Sequence, residues 1–240
     1  MKLTASERAE RREAFRRMSA ADKIDYIVSY YKLPIILTLL FAYALCYGAY
    51  RHFSRKEILL YVACVNVALN EDTAEALSNG FVRASDGNVR TETVFLYRNI
   101  YLSDNPTLAN HEYAYASRLK LMAATDAGQV DIILMNREAY DLLSERGYLL
   151  NLSSALLDEV PNFHGFLTAN KVILEDNALD LSLGKTEYYR ATTIYEENAL
   201  EVSQFPFFLN ADFTDAIFLG VISNSPRLDN VMKYIAYLQS

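Results

Sequence analysis

Eight residues near the ends of predicted strands carry side chains that can hold a small polar ligand. They are Asn66, Asn70, Tyr97, Tyr101, Asn136, Arg137, Ser223 and Asn224. Amide and hydroxyl groups exchange hydrogen bonds with a ligand, arginine binds anions, and tyrosine rings stack on a flat or sugar-like molecule. This is the chemistry of binding rather than of bond breaking. The alternative is that these residues are helix caps, turns or surface groups, and Asn70 and Asn136 are especially suited to N-caps.

Residues for catalysis or for metal binding do not fall into recognisable patterns. The three histidines, His52, His111 and His164, are far apart and form no H-x-x-x-H spacing. The chain contains no G-x-S-x-G motif, no P-loop and no G-x-G-x-x-G motif. We therefore expect a non-enzymatic protein with no catalytic residues, no metal site and no cofactor.

The elements that would position the eight residues alternate between strand and helix. Stretches rich in β-branched and aromatic residues predict strands, and each is followed by a stretch with helical spacing. The predicted strands are 58–69, 88–102 and 130–136, and the predicted helices are 70–85, 108–126 and 137–147. Helix 108–126 would carry Tyr115, Leu119 and Met122 on one side. This order predicts an α/β fold with a mixed sheet flanked by helices, and ligands bind beyond the carboxyl ends of the strands in such sheets.

The remainder of the chain is less regular up to residue 215. It predicts a short helix in 149–158, a small hairpin from 170–176 and 178–183, and an aromatic strand-like stretch over 188–209. We place these in a small irregular sub-lobe around 153–210, within a domain of residues 57–240. A strand over 216–226 and a terminal helix follow, and the helix has three apolar residues in register: Val231, Ile235 and Leu238.

One uncharged stretch, residues 33–50, is long enough to cross a membrane. At about 1.5 Å per residue its eighteen positions cover roughly 27 Å, close to the thickness of the hydrocarbon core. Basic residues Lys32 and Arg51 flank it, and tyrosines lie near both ends. We predict a transmembrane helix over 33–52, preceded by N-terminal helices. The alternatives are a buried helix of a soluble domain and a signal peptide, whose apolar region would be shorter and nearer the N-terminus.

Charge is distributed unevenly on the two sides of this stretch. Residues 1–32 contain eight Lys/Arg and five Asp/Glu, whereas the whole chain has a net charge of −7. The positive-inside rule therefore predicts that segment 1–32 is cytoplasmic and that domain 57–240 is extracytoplasmic. An acidic domain also argues against nucleic acid as a partner, because nucleic-acid binding needs a basic surface.

The two cysteines predict no disulfide framework. Cys46 lies inside the apolar stretch and Cys64 lies inside a predicted strand, so both are expected to be small apolar side chains. An exported domain without disulfides fits a bacterium better than a eukaryotic secretory route.

Two segments of the chain resemble the extracellular solute-binding proteins of bacterial ABC importers, which have the type 2 periplasmic-binding fold. In the first, a helix leads into a "G-x-x-D" strand, and a second helix leads into a "G-x-L-x-(D/N)-L" turn; the matching residues are Gly128, Asp131, Ile132, Ile133, Gly147, Leu149, Asn151 and Leu152. The second segment is the closing strand and helix over 218–239. The whole chain is most similar to short single-span membrane proteins of Gram-positive bacteria that carry a reduced ectodomain of this kind. Only about 60 residues separate Leu152 from the closing strand, too few for a second full lobe.

The resemblance implies a membrane-anchored module that captures a small solute or peptide, with an ABC transporter or another membrane protein as its partner. The alternative is a non-enzymatic structural or interaction protein that keeps the fold without a ligand and scaffolds a membrane complex. The space between the carboxyl edge of the sheet and residues 153–210 discriminates between them. A deep pocket there favours ligand capture, whereas a filled, apolar junction favours the scaffold.

Overall fold

The computed structural model describes residues 13–19, 22–23, 29, 32–53, 56–104, 111–155, 161–175, 191–209, 213 and 215–240. Contacts between Cα atoms divide the chain into two compact units, Met1–Arg55 and Lys56–Ser240.

The described part of the first unit is dominated by one helix, α1 (Lys32–Phe53). Its window Lys32–Tyr50 is, among the described residues, the one stretch of helix long and apolar enough to cross a membrane. Its large side chains are exposed, for example 70% for Leu33 and 65% for Phe41, which is not the pattern of a core helix. The helix predicted over 33–52 is confirmed. Of the predicted N-terminal helices, residues 13–17 are helical and most of the rest lies outside the described residues.

The second unit is built on a six-stranded sheet in the order β2-β1-β3-β6-β5-β4. Strand β1 is parallel to β2 and β3, while β6 is antiparallel to β3 and β5, and β4 is antiparallel to β5. The predicted α/β fold with a mixed sheet is therefore confirmed. The strands are β1 (Glu57–Val65), β2 (Glu92–Ile100), β3 (Ile132–Met135), β4 (Leu167–Glu175), β5 (Ala191–Glu201) and β6 (Phe218–Val221).

Helices cover both faces of this sheet. The first, α2 (Glu71–Glu75), continues through a π-helical turn (Ala76–Gly80) into α3 (Phe81–Ala84). The others are α4 (His111–Asp126), α5 (Arg137–Glu145), α6 (Leu152–Ala155), a 3₁₀ turn (Pro161–Phe166), α7 (Pro206–Leu209) and α8 (Leu228–Gln239). On one face, Val62 and Cys64 of β1 lie in a core cluster with Leu77 and Tyr234. On the other face, Ala63 and its neighbours lie in a cluster with residues of α4 and α5. The alternation of β1 therefore fills two cores.

Helix α4 is oriented differently from what its largest side chains suggest. Its buried face carries Ala114, Ser117, Leu121 and Ala124, which have mostly small side chains. These small residues let the helix backbone approach the sheet closely. Of the three apolar residues on the other side, Tyr115 is 60% and Leu119 50% exposed, whereas Met122 is partly buried.

The region between α5 and β6 adds two strands to the same sheet. Strand β4 pairs along its length with β5, from Leu167 opposite Leu200 to Glu175 opposite Ala191. The first arm of the predicted hairpin thus has β5 as its partner, and the second arm, 178–183, lies outside the described residues. The predicted strand-like stretch over 188–209 ends at Glu201, and after a turn Pro206–Leu209 is helical.

The last strand and helix both form, but the strand covers only Phe218–Val221 of the predicted 216–226. Strand β6 is fully buried between β3 and β5. In α8 the three apolar residues in register, Val231, Ile235 and Leu238, are all buried. Tyr234 on the same face donates a hydrogen bond from Oη to the carbonyl of Leu77 (2.9 Å), which ties α8 to the π-helical turn.

Burial of Cys64 makes the stability of the domain fall in alkali. Desolvation raises the pKa of the Cys64 thiol from 9.0 to about 12, and Arg98 lowers it slightly. The native thiol keeps its proton at a pH where the unfolded thiol has lost it, so stability is complete below pH 9 and falls as pH rises toward 12. Between pH 8.5 and pH 10 we expect Cys64 to account for a loss of about 1 kcal/mol in the free energy of unfolding. Urea denaturation at both pH values measures this loss, and Cys64→Ala should show a smaller one. Equal losses in the two proteins would contradict the assignment.

Candidate functional site

Six of the eight predicted ligand-binding residues follow strand ends, and the sheet divides these six between its two opposite edges. Strands β1, β2 and β3 end at one edge, which brings Asn66, Tyr101, Asn136 and Arg137 to the same end of the sheet. Strand β6 is antiparallel to β3, with Met135 opposite Phe218. Its carboxyl end, and with it Ser223 and Asn224, therefore lies at the opposite edge. The rule that nominated these residues holds for parallel strands, and β6 is not parallel to its neighbours.

Asn66 is engaged with the backbone at the exit of β2. Its Nδ2 donates to the carbonyl of Leu102 (2.7 Å), and its Oδ1 accepts from the Leu102 amide (2.8 Å). Its φ of 56° is in the left-handed region, which asparagine tolerates better than most residues. The side chain thus extends the pairing of β1 with β2 by one step, and its amide groups already have partners.

Two substitutions of Asn66 separate the contribution of its side-chain hydrogen bonds from that of its tolerance of positive φ. Asn66→Gly removes both hydrogen bonds but keeps the backbone conformation at low cost, whereas Asn66→Ala also introduces strain at positive φ. We expect the free energy of unfolding to fall by about 2–3 kcal/mol in the alanine variant. The fall in the glycine variant should be smaller by about 1 kcal/mol. Chemical denaturation of both variants measures the difference. Equal stability of the two would show that the positive φ carries no cost.

Asn70 and Asn136 are N-caps, as their sequence positions suggested. The Oδ1 atom of Asn70 accepts from the Thr73 amide (2.7 Å) and opens α2. The Oδ1 atom of Asn136 accepts from the Ala139 amide (3.0 Å) and opens α5. Each acceptor satisfies one of the amides that a helix N-terminus leaves unpaired.

Arg137 follows Asn136 at the same edge. Its Nε lies 3.0 Å from a carboxylate oxygen of Asp141, one turn further along α5. Its guanidinium also lies over the rings of Tyr140 (5.5 Å to the centroid) and Phe218 (5.7 Å). These contacts hold the guanidinium against the end of the sheet.

The two predicted stacking tyrosines of β2 and its exit lie in different surroundings. Tyr97 lies in the middle of an aromatic cluster with Tyr61 and Phe95, and Lys120 lies over its ring. Burial, with a smaller effect of Tyr61, raises the pKa of Tyr97. Tyr101 is half-buried at the carboxyl edge. The two tyrosines therefore do not form one stacking platform.

Ser223 and Asn224 help to close the opposite edge. The Ser223 amide donates to the carbonyl of Tyr148 (3.0 Å), and Nδ2 of Asn224 donates to the carbonyl of Thr125 (3.1 Å). These bonds join the segment after β6 to the ends of α4 and α5. Their role in the structure is to hold three chain segments together.

The junction between the carboxyl edge and the described part of 153–210 is filled and apolar. The ring of Phe205, 1% exposed, stacks on Phe163 at 6.3 Å and meets Phe166 edge-on at 5.0 Å. Val202 and Ile217 pack in the same core cluster. This is the arrangement that argues against a ligand at the predicted edge.

A groove of about 680 Å³ lies elsewhere, between the end of α5 and β4. Typical ligand sites measure about 300–1,000 Å³, so the groove is large enough for a small molecule or a short peptide. Its lining residues are Asp104, Leu142, Glu145, Arg146, Gly147, Tyr148, Val172, Ile173 and Leu174. Leu142, Arg146 and Tyr148 also line a narrow apolar pocket between α4 and α5, which has room for about 20 Å³, one water molecule.

Two arginines share the carboxylate of Asp104: Arg146 lines the groove with Asp104, and Arg118 lines the narrow pocket. Arg118 of α4 forms an ion pair with Asp104 and donates to the carbonyl of Ser103 (3.4 Å). Arg146 approaches the same carboxylate to 3.9 Å, and its side chain is 45% exposed. Glu145 is paired with Lys171 (3.0 Å). Arg146 is the basic residue in the lining of the groove, and its exposed guanidinium is the group there that can bind an anion.

A buried polar network fixes α5, the helix that ends just before Arg146. Tyr140 donates from Oη to the carbonyl of Thr168 (2.8 Å) and lies 2.9 Å from Oδ1 of Asn198, whose Nδ2 donates to Ser144 (2.8 Å). Ser144 in turn donates to the carbonyl of Lys171 (2.9 Å). This network attaches α5 to β4 and β5, and burial raises the pKa of Tyr140. The wall of the groove is therefore a rigid element.

The sequence did not single out the three charged residues that meet beside this groove. Asp104, Arg118 and Arg146 come from three separate elements, and no motif or period connects them. Each looks like an ordinary surface charge until the segment after β2 is brought over α4 and α5. Among the described residues, no group of three or more His, Cys, Asp or Glu side chains is placed to hold a metal ion.

Comparison with known proteins finds no relative of the chain. No protein-family model, no curated protein and no solved structure matches the chain.

Proposed function

We propose that the chain is a membrane-anchored, non-enzymatic binding module that captures a small anionic solute or a peptide in the groove between α5 and β4. The observation that carries the proposal is the exposed guanidinium of Arg146, which shares Asp104 with Arg118 beside an apolar wall. A carboxylate matches a guanidinium in geometry and charge, and the apolar wall suits the rest of an amino acid or peptide.

The proposal places α1 in the cell membrane as a single span. The exposed apolar side chains of α1 support this, because water would be a poor solvent for them. The excess of Lys and Arg in 1–32 supports a cytoplasmic N-terminus and an extracytoplasmic domain. Protease added to cells stripped of their wall should digest the C-terminal domain. Protection of that domain would contradict the orientation.

The ligand part of the proposal is tested with the full-length chain in lipid nanodiscs. Calorimetric titration with sugars, amino acids and short peptides should detect binding only for compounds with a free carboxylate. Arg146→Ala should weaken that binding roughly ten- to a hundredfold, the value of a charged hydrogen bond. Arg83→Ala is the matched control, because Arg83 also forms an exposed ion pair, with Glu75, away from the groove. A panel without a single binding compound would contradict ligand capture.

The second candidate is a scaffold that holds a membrane complex without a small ligand. The filled junction at the carboxyl edge and the outward apolar side of α4, with Tyr115 and Leu119, favour it. An ABC transporter or another membrane protein is the partner that we propose in either case. Crosslinking in native membranes separates the two: a stoichiometric protein partner that is lost in a Tyr115→Ser/Leu119→Ser variant, with no response to any solute, supports the scaffold.

A further inference from the structure

Strand β2 is the last strand on its side of the sheet. Among the described residues, no strand pairs with its outer side. The amide of Glu57 donates to the carbonyl of Thr91, which shows that the odd-numbered residues of this strand turn their backbone groups toward β1. The even-numbered residues from Glu92 to Arg98 therefore turn theirs outward. An edge of this kind is a template for another strand.

The outer edge of β2 is apolar over a limited length. A bulge at Asn99, where φ is 59°, ends the regular pairing with β1. Between the turn at 88–91 and this bulge, Phe95 is 43% exposed although it lies against Tyr61 (5.8 Å between centroids) and Tyr97 (4.9 Å). On the other face, Val94 is buried in the core. An apolar edge strand left open to solvent promotes association.

The charges on this edge are arranged symmetrically about Phe95. Glu92 lies three residues before it and Arg98 three residues after it, and both side chains lie on the face of Val94. In an antiparallel pair of two such strands centred on Phe95, each Glu92 lies directly opposite the Arg98 of the other strand. Opposite charges in facing positions stabilise a strand pair, and like charges destabilise it.

We infer that β2 pairs with β2 of a second copy of this chain, antiparallel and centred on Phe95, so that two sheets become one. Val94 then faces Leu96 of the other copy, with the outward backbone groups of both in a hydrogen-bonded pair. Phe95 faces its own counterpart in a non-hydrogen-bonded pair, where the side chains are closest. The interface is isologous, as expected for a two-fold dimer.

A second copy fits this edge better than an unrelated strand because the edge is complementary to itself. Shifting the register by two residues moves both Glu92 and Arg98 away from their opposite charges. The contacts that Glu92 and Arg98 make within one copy compete with the proposed pairs between copies, and most of them are weak surface contacts. Arg98 forms an ion pair with Glu71 (2.9 Å) at the surface, where Glu71 is 84% exposed, and donates to the carbonyl of Leu69 (3.2 Å). Glu92 accepts from the exposed Asn88 amide.

Engineered cysteines test the register in the full-length chain in its native membrane. Directly opposite residues of a non-hydrogen-bonded pair have Cα atoms about 4.5 Å apart, within the range of a disulfide. In a Cys46→Ser background, which removes the exposed native cysteine, Phe95→Cys should give a disulfide-linked dimer under mild oxidation. Tyr97→Cys alone should not, whereas mixing it with Thr93→Cys should, since residues 93 and 97 face each other across the axis.

The crosslinks decide between this dimer and other modes of association. Dimers that form at position 95, and at 93 with 97, support the proposal. The proposal is overturned if Tyr97→Cys alone forms as much dimer as Phe95→Cys, or if Phe95→Cys does not crosslink. Capture of a different protein at position 95 also overturns it, because the edge would then serve a heterologous partner.

Charge exchange provides a second and independent test. Glu92→Arg and Arg98→Glu should each reduce the dimer fraction of the purified full-length chain in detergent, measured by sedimentation, because each places like charges opposite one another. The double exchange restores complementary pairs and should restore the dimer. A double variant no better than the single ones would overturn the register, and circular dichroism of each variant confirms that it is folded.

Discussion

Arg227→Ala will destabilise the C-terminal domain by about 3 kcal/mol, because it leaves a buried carboxylate without its counter-charge. Asp131 is fully buried, and the guanidinium of Arg227 lies 3.1 Å from it. The same carboxylate accepts from the Tyr61 amide (2.8 Å) and from Oγ of Ser225 (2.7 Å). The pair therefore joins β1, the start of β3 and the segment that leads into α8.

Chemical denaturation of the full-length chain in detergent, followed by the near-ultraviolet circular dichroism of its tyrosines, measures this loss. Arg83→Ala removes an exposed ion pair and should cost less than about 1 kcal/mol. Adding Asp131→Asn to Arg227→Ala should recover part of the loss, since it removes the unpaired charge. If Arg227→Ala is as stable as Arg83→Ala, the ion pair has no structural role.

Phe205→Ala will cost about 3–5 kcal/mol, the usual range for removing a buried phenylalanine ring. The ring is 1% exposed and contacts Phe163 and Phe166, so its loss leaves a cavity in the junction at the carboxyl edge. Leu209→Ala, four residues further along and 62% exposed, is the matched control and should change stability by less than about 1 kcal/mol.

This variant also tests whether the junction is closed. If the rings around Phe205 pack as described, small apolar compounds should bind Phe205→Ala and raise its melting temperature, without any effect on the original chain. A loss of stability below about 1 kcal/mol would show that the junction is open and that the predicted edge is available to ligands.

The local elements could be predicted from the sequence, but their arrangement could not. The uncharged stretch predicted α1, and the cap positions of Asn70 and Asn136 followed from their place before apolar helical spacing. The position of β6 depends on which strands finally pair, and no local pattern encodes that. Ser223 and Asn224 were therefore expected at the carboxyl edge of the sheet and lie at the opposite one.

The orientation of α4 and the groove escaped prediction for related reasons. Apolar size suggested the stripe of Tyr115 and Leu119, whereas the space over the sheet admits the smaller residues Ala114 and Ser117. Arg146 acquires its significance only when Asp104 and Arg118 are brought to it by tertiary contacts. Charges that have no period in the sequence give no signal before the chain is folded.

The central place of β6 affects how the domain is made. It separates β3 from β5, and yet it is synthesised after both. Until the ribosome has delivered Phe218–Val221, the fully buried strand β3 has one open side, and β4 with β5 forms a ribbon with no neighbour. Long-range closure of this kind is slow and exposes apolar strands to aggregation. The sheet can therefore be completed only after Phe218–Val221 has become available to pair with β3 and β5.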